Sequence, residues 1–170
     1  MSAESAPRTA AELVVLWRIA VDTPNYLADD LNGTGAHVSG GRWNRKGSPM
    51  VYTSTSRALA RLETVVQLAS GKPLPLNRYL VEVIVPWQAW DQREVLAPAD
   101  RVGWDAQPPG KISLDWGTRW VAARSTLIAE VPSVIVPEES NLLINPRHSD
   151  IALVSTRKVR RWTCDGRLRP

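Results

Sequence analysis

The chain has one cysteine, two histidines and no phenylalanine in 170 residues. A single thiol, Cys164, excludes an internal disulfide. With His37 and His148 as the only imidazoles, a tetrahedral zinc site would have to recruit carboxylates that show no ligand spacing, so no metal is expected. Long apolar runs are also missing. Leu13 to Leu16 is far too short for a membrane span or a secretory core, and a cytoplasmic protein is the expectation. No G-x-S-x-G elbow, phosphate loop or G-x-G-x-x-G turn occurs, which removes the commonest hydrolase and nucleotide-binding signatures. Repeats and low-complexity tracts are absent, and the 13 prolines are scattered instead of gathered into a linker.

What is present describes one ordinary globular domain. The length suits a single core, and 44% hydrophobic with 22% charged residues excludes a disordered or fibrous chain. Residues 1–12 read as a flexible extension and 13–170 as the folded domain. The net charge of +4 is unevenly spread: residues 157–170 carry +5, which leaves −1 on the rest. A basic terminus can contact phosphate or an acidic partner. The favoured reading is an edge strand whose charges block aggregation.

Hydrophobic periodicity places the elements. Leu13 to Ile19 is a continuous apolar run and predicts a buried strand. The glycines at 33, 35, 40 and 41 predict a loop over 31–41 that lets backbone approach a ligand. A short strand follows at 50–53, then a helix capped by Ser54 or Ser56 and ended by Gly71-Lys72-Pro73. Residues 78–87 alternate as a strand does. Residues 88–110 read mostly as connection, and 112–124 as a helix with Leu114, Gly117, Trp120 and Val121 on one face. Further strands are expected at 126–128, 134–136 and 157–163. The fold class is α+β, a single compact domain with a mixed or antiparallel sheet and a few helices.

Glu63 carries the most information of any one residue. Helical spacing puts it in a stripe with Leu59, Leu62 and Val66, and a carboxylate there has to be paired, protonated or open to a pocket. It can also reach water at the stripe edge or pair with Arg57 or Arg61. Arg42 follows two glycines and precedes Trp43, so a guanidinium suited to bidentate phosphate contact stands beside an aromatic plane. Its bland reading is a solvent-facing side chain covering Trp43. Arg18 ends the first strand, where a group such as Glu63 can compensate it. Tyr52 offers a ring to a ligand or to the core. Ser133, Asn141, Asn145 and His148 lie in the densest polar run set among apolar residues, and either meet a polar ligand or cap turns.

Taken in order, Trp17-Arg18-Ile19, Gly41-Arg42-Trp43-Asn44, Val51-Tyr52-Thr53, Glu63, Pro132-Ser133, residues 141–148 and Asp165-Gly166-Arg167-Leu168 resemble the RES domain family. The resemblance covers about residue 14 to the C-terminus and rests on the order of its segments. It implies an ADP-ribosyltransferase-like fold and a toxin of a bacterial toxin–antitoxin pair that depletes NAD by cleaving the nicotinamide–ribose bond, with water or phosphate as acceptor. NAD is then a substrate, and no cofactor is implied. Arg42, Glu63 and Ser133 map onto the family's catalytic residues, with Ser125 as the other candidate serine. The family's Tyr maps onto Tyr52, and Arg18, Asn141, Asn145 and His148 are the other candidate substrate contacts. The implied partner is a helix-turn-helix antitoxin that blocks the active site. A protein-modifying ADP-ribosyltransferase is the alternative. A non-catalytic nucleic-acid-binding module using residues 157–169 is a third reading, disfavoured because aromatic residues do not interleave with the basic ones.

Overall fold

The computed structural model describes residues 12–68, 76–97, 99 and 102–168. Its strands are β1 (Leu13–Val21), β2 (Val51–Ser54), β3 (Arg78–Pro86), β4 (Glu94–Val95), β5 (Ile128–Pro132), β6 (Ser140–Ile144) and β7 (Ser155–Arg161). Its α-helices are α1 (Thr34–Ser39), α2 (Arg57–Leu68), α3 (Trp87–Asp91) and α4 (Lys111–Ala123). The seven strands make one sheet in the order β4-β5-β6-β2-β1-β3-β7. Only the β4–β5 pair is parallel; the other pairs are antiparallel. This is a mixed-sheet α+β fold, as the element pattern implied. None of the helices among the described residues is long and apolar enough to cross a membrane.

Strand alternation decides what each sheet face carries. Leu16, Ala20, Val51, Val81, Val83, Val85, Ile128, Leu142 and Ile144 form the main buried cluster on one face. The other face carries two separate clusters. One joins Trp43, Leu96, Trp116, Trp120, Val121, Ala129, Val131 and Leu143 beneath α4. The second joins Trp17, Ala60 and Leu80 beneath α2. Between them the same face turns polar, at Ser54 and Asn141, which are paired in register across β2 and β6.

Helix α2 starts where Ser56 Oγ accepts the Leu59 N–H at 3.0 Å, the contact expected of an N-cap. The Gly71-Lys72-Pro73 stop lies outside the described residues, as does the extension apart from Glu12. The α2 stripe differs from expectation. Leu59, Ala60 and Thr64 are the buried positions, whereas Leu62 and Val66 are 39% and 53% exposed. The face that meets the sheet is therefore turned away from Leu62 and Val66, and Glu63 sits at its margin.

Three further local readings are corrected. The glycine-rich stretch contains the short helix α1 between Gly33 and Gly40, both at positive φ. The stretch after β3 holds α3 and β4 instead of connection alone. Residues 134–136 are a bend, not a strand, and β5 and β6 flank them. The bend follows from Ser133, whose Oγ accepts the N–H groups of Ile135 and Val136, both at 3.1 Å. A side chain that takes two successive backbone donors competes with strand pairing.

Strand β7 is the sheet edge expected of the basic terminus. Two of its charges are matched internally: Arg157 with Glu82, and Lys158 with Asp22 and Asp29. That leaves less of the basic stretch free for a phosphate backbone.

Candidate active site

Glu63 projects from α2 toward the polar gap between the two clusters and is half-buried. Its Oε1 accepts two hydrogen bonds, from Ser133 Oγ at 2.9 Å and from Asn141 Nδ2 at 2.5 Å. Ser133 is itself fully buried. Its backbone N–H donates to the Glu139 carbonyl at 3.0 Å, and the Glu139 carboxylate accepts from Ser56 Oγ at 2.9 Å. The residue that starts α2 is thus tied to the segment that carries Ser133, and the helix and the bend hold the carboxylate jointly.

Arg42 comes from the other side of the gap. Its Nη1 donates to the carbonyls of Trp104 and Ala106, at 3.2 and 2.9 Å. Burial lowers the pKa of its guanidinium, while the carboxylates of Glu63 and Asp105 oppose that shift. Glu63 is therefore close enough for its charge to act on Arg42. The covering of Trp43 falls to other rings: Trp104 stacks on it with centroids 6.3 Å apart, and Trp116 meets it edge-on at 5.4 Å.

Tyr52 fixes the loop that presents Arg42. Its hydroxyl donates to Asn44 Oδ1 at 2.7 Å and accepts the Trp43 N–H at 3.0 Å. Asn44 is fully buried, and its Nδ2 donates to the carbonyls of Ala36, Arg45 and Ser48. Burial pushes the Tyr52 phenol well above its usual pKa, with the Trp43 N–H and Arg42 acting the other way. Gly41 is needed for close approach, since a Cβ there would stand 2.5 Å from the Tyr52 oxygen. A shallow cavity of about 290 Å³ opens beside the loop, lined in part by Ser39, Gly40, Gly41, Asn44, Arg45 and Lys46. Neither Glu63 nor Arg42 lines it, so it is distinct from the gap.

The structure thus brings together Arg42, Tyr52, Glu63, Ser133 and Asn141. It places three other candidates elsewhere. Arg18 is in register with Val81, on the face of β1 opposite Trp17 and α2. Its Nη1 donates to the Asp30 carbonyl at 3.2 Å. Burial lowers its pKa to about 10, and Asp30, Asp29 and Tyr26 oppose the shift. Its compensation comes from the 29–30 segment instead of Glu63. Asn145 is buried at the far end of β6, where Nδ2 donates to the Val121 carbonyl and Oδ1 accepts the Arg147 N–H. His148 Nδ1 accepts the Asp150 N–H and caps a short 3-10 helix, Ser149–Leu153. Both fill the turn-capping role set out as their alternative. Of the two candidate serines, Ser133 is the one that reaches Glu63.

Sequence reasoning gave Ser54 no role beyond a candidate helix cap, and gave Asn44 and Glu139 no role in the site. For Ser54 a signal was available: it stands two residues after Tyr52 on one strand, so both share a face. Asn44 stood in the segment that resembles the family, but its role, like that of Glu139, depends on loop closure.

The family model for the RES domain matches residues 15–166. The chain belongs to the RES domain family. This RES domain is 54% identical over 153 residues to a Prs ADP-ribosylating toxin of a Sphingobium species, covering 89% of this chain and 94% of that protein. It is 36% identical over 156 residues to Toxin Res of Pseudomonas putida, with 91% and 99% covered. Toxin Res of Yersinia enterocolitica is 36% identical over 137 residues, with 79% and 86% covered. This RES domain is accordingly a member of a family of bacterial toxins, and its α+β fold is consistent with an ADP-ribosylating relative.

Proposed function

We propose that this RES domain is a toxin that cleaves the nicotinamide–ribose bond of NAD and passes on the ADP-ribosyl group. The observation that carries the reading is Glu63, a carboxylate held at the polar gap on one oxygen by two side-chain donors. As nicotinamide departs, it takes the bonding pair of its C1′–N bond and becomes neutral, and positive charge grows on the ribose. A fixed carboxylate opposite that charge lowers the barrier. The acceptor then supplies an electron pair to C1′, and its proton passes to Glu63 or to solvent. Arg42 holds the pyrophosphate, Tyr52 walls the nicotinamide end, and Ser133 and Asn141 keep Glu63 in place. NAD is substrate throughout, and a helix-turn-helix antitoxin covering this gap is the proposed partner.

Two acceptor classes are distinguished by experiment. The 54% identical relative, named for ADP-ribosylating Prs, favours a protein side chain. Water or inorganic phosphate is the reading the sequence suggested first. Purified protein is incubated with NAD, with and without phosphate, and with labelled NAD in a bacterial extract. Nicotinamide release over many turnovers without any protein target supports degradation. Label on one protein, with nicotinamide in proportion to it, supports transfer. In either case Glu63→Gln slows release at least about a hundredfold, on the order of 3 kcal/mol. Release by a folded Glu63→Gln at the wild-type rate, or none by the wild type in any arm, overturns the proposal.

A further inference from the structure

Both protein hydrogen bonds to Glu63 converge on Oε1, and among the described residues none reaches Oε2. That asymmetry depends on how the Asn141 amide is turned, because only its nitrogen end can donate. The amide is set by a residue that makes no hydrogen bond to Glu63 itself. Ser54, 4% exposed on β2, donates its hydroxyl proton to Asn141 Oδ1 at 2.7 Å. The register pairing of Ser54 with Asn141 across β2 and β6 puts the two side chains on the same face, so the backbone enforces the contact. The opposite amide orientation would turn Oδ1 onto a carboxylate oxygen, two acceptors facing one another.

We infer that Ser54 is a positioning residue: through Asn141 it commits Glu63 Oε1 to the protein and keeps Oε2 as the oxygen that faces the reacting sugar. The chain Ser54 O–H to Asn141 C=O, then Asn141 N–H to Glu63, is polarised in one direction, so each bond strengthens the next. Ser54 therefore acts on the orientation of the carboxylate and not on binding of the dinucleotide.

The inference rests on the NAD-cleaving reading, and the experiment separates the two. Nicotinamide release is measured for wild type, Ser54→Ala, Ser54→Thr, Glu63→Gln and the Ser54→Ala/Glu63→Gln double variant, with urea unfolding as the check on folding. Ser54→Ala lowers kcat about tenfold with KM for NAD unchanged, as loss of carboxylate alignment does. Ser54→Thr, which retains a hydroxyl, restores most of the rate. In the Glu63→Gln background Ser54→Ala has no further effect, because its route to the chemistry is already cut. If Ser54→Ala does not fold, Ser54→Cys, with a weaker donor of similar size, takes its place. A wild-type rate in Ser54→Ala, or an equal drop in both backgrounds, overturns the inference and leaves the NAD-cleaving reading standing. Absence of release by the wild type overturns the reading itself.

Discussion

Gly117 of α4 lies directly against the Trp43 carbonyl: a Cβ at that position would be 1.8 Å from the Trp43 oxygen. An alanine inside a helix ordinarily gains about 1 kcal/mol over glycine. Here the obstacle is backbone, which cannot swing aside as a side chain can. Gly117→Ala is therefore expected to destabilise the protein by about 3 kcal/mol or more, at the upper end of overpacking costs. It also displaces the loop bearing Arg42, so the proposed NAD cleavage is expected to fall with stability. Urea midpoints of wild type and variant check the sign, and a neutral or stabilised variant refutes the packing argument.

Tyr52→Phe removes one oxygen and two hydrogen bonds. The Trp43 N–H loses its acceptor and Asn44 Oδ1 loses its donor. Leaving such groups unpaired costs about 1–3 kcal/mol each at most. The ring remains, so the expected kinetic effect is on the placement of Arg42: KM for NAD rises severalfold and kcat changes less. Steady-state kinetics with a parallel denaturation curve test this. A fall in kcat alone would assign the phenol to the chemical step.

Ser133→Ala separates two duties of one hydroxyl. It donates to Glu63 and accepts from the N–H groups of Ile135 and Val136. Loss of the second duty costs about 1–2 kcal/mol of stability. Loss of the first slows nicotinamide release about tenfold, the scale of one positioning contact. A variant that is less stable but fully active would confine Ser133 to the bend.

Acid stability has a contribution from the loop before α1. Asp22 is held below its usual pKa, first by the Lys158 hydrogen bond and then by the Ala28 N–H. A carboxylate depressed in the folded state stabilises above its unfolded pKa of about 4. That stabilisation is lost as pH falls through the lower folded value. Asp22→Asn should therefore be less stable than wild type near neutrality, with the difference shrinking below about pH 4. Urea midpoints across pH 2–6 measure it, and a constant offset at every pH would refute the linkage.

The parts of the fold that local chemistry controls were legible. The apolar run of β1, the alternation of β3, the spacing of α4 and the Ser56 cap all read directly from neighbouring residues. The candidate site was legible where a residue is odd for its setting, as with a carboxylate at Glu63 or a guanidinium after Gly40 and Gly41. It was not legible where strand register or loop closure decides. Arg18 looked like a charge that Glu63 could compensate because it follows the apolar run of the first strand, yet the register with Val81 sends it to the opposite face. Asn145 belongs to the same polar run as Asn141 but lies four residues further along, about 13 Å of extended chain. Val134 to Val136 has strand composition, and one serine hydroxyl overrides it.

Four of the eight indoles form a continuous ladder: Trp104 on Trp43, Trp43 against Trp116, and Trp116 on Trp120, with centroid separations of 6.3, 5.4 and 6.3 Å. Chromophores this close exchange excitation, so the ladder is a natural optical gauge. Trp43 directly follows Arg42, and Trp104 lends Arg42 its carbonyl. Whatever engages that guanidinium will shift the excitonic signal of the ladder, and occupancy can be followed without attaching a dye.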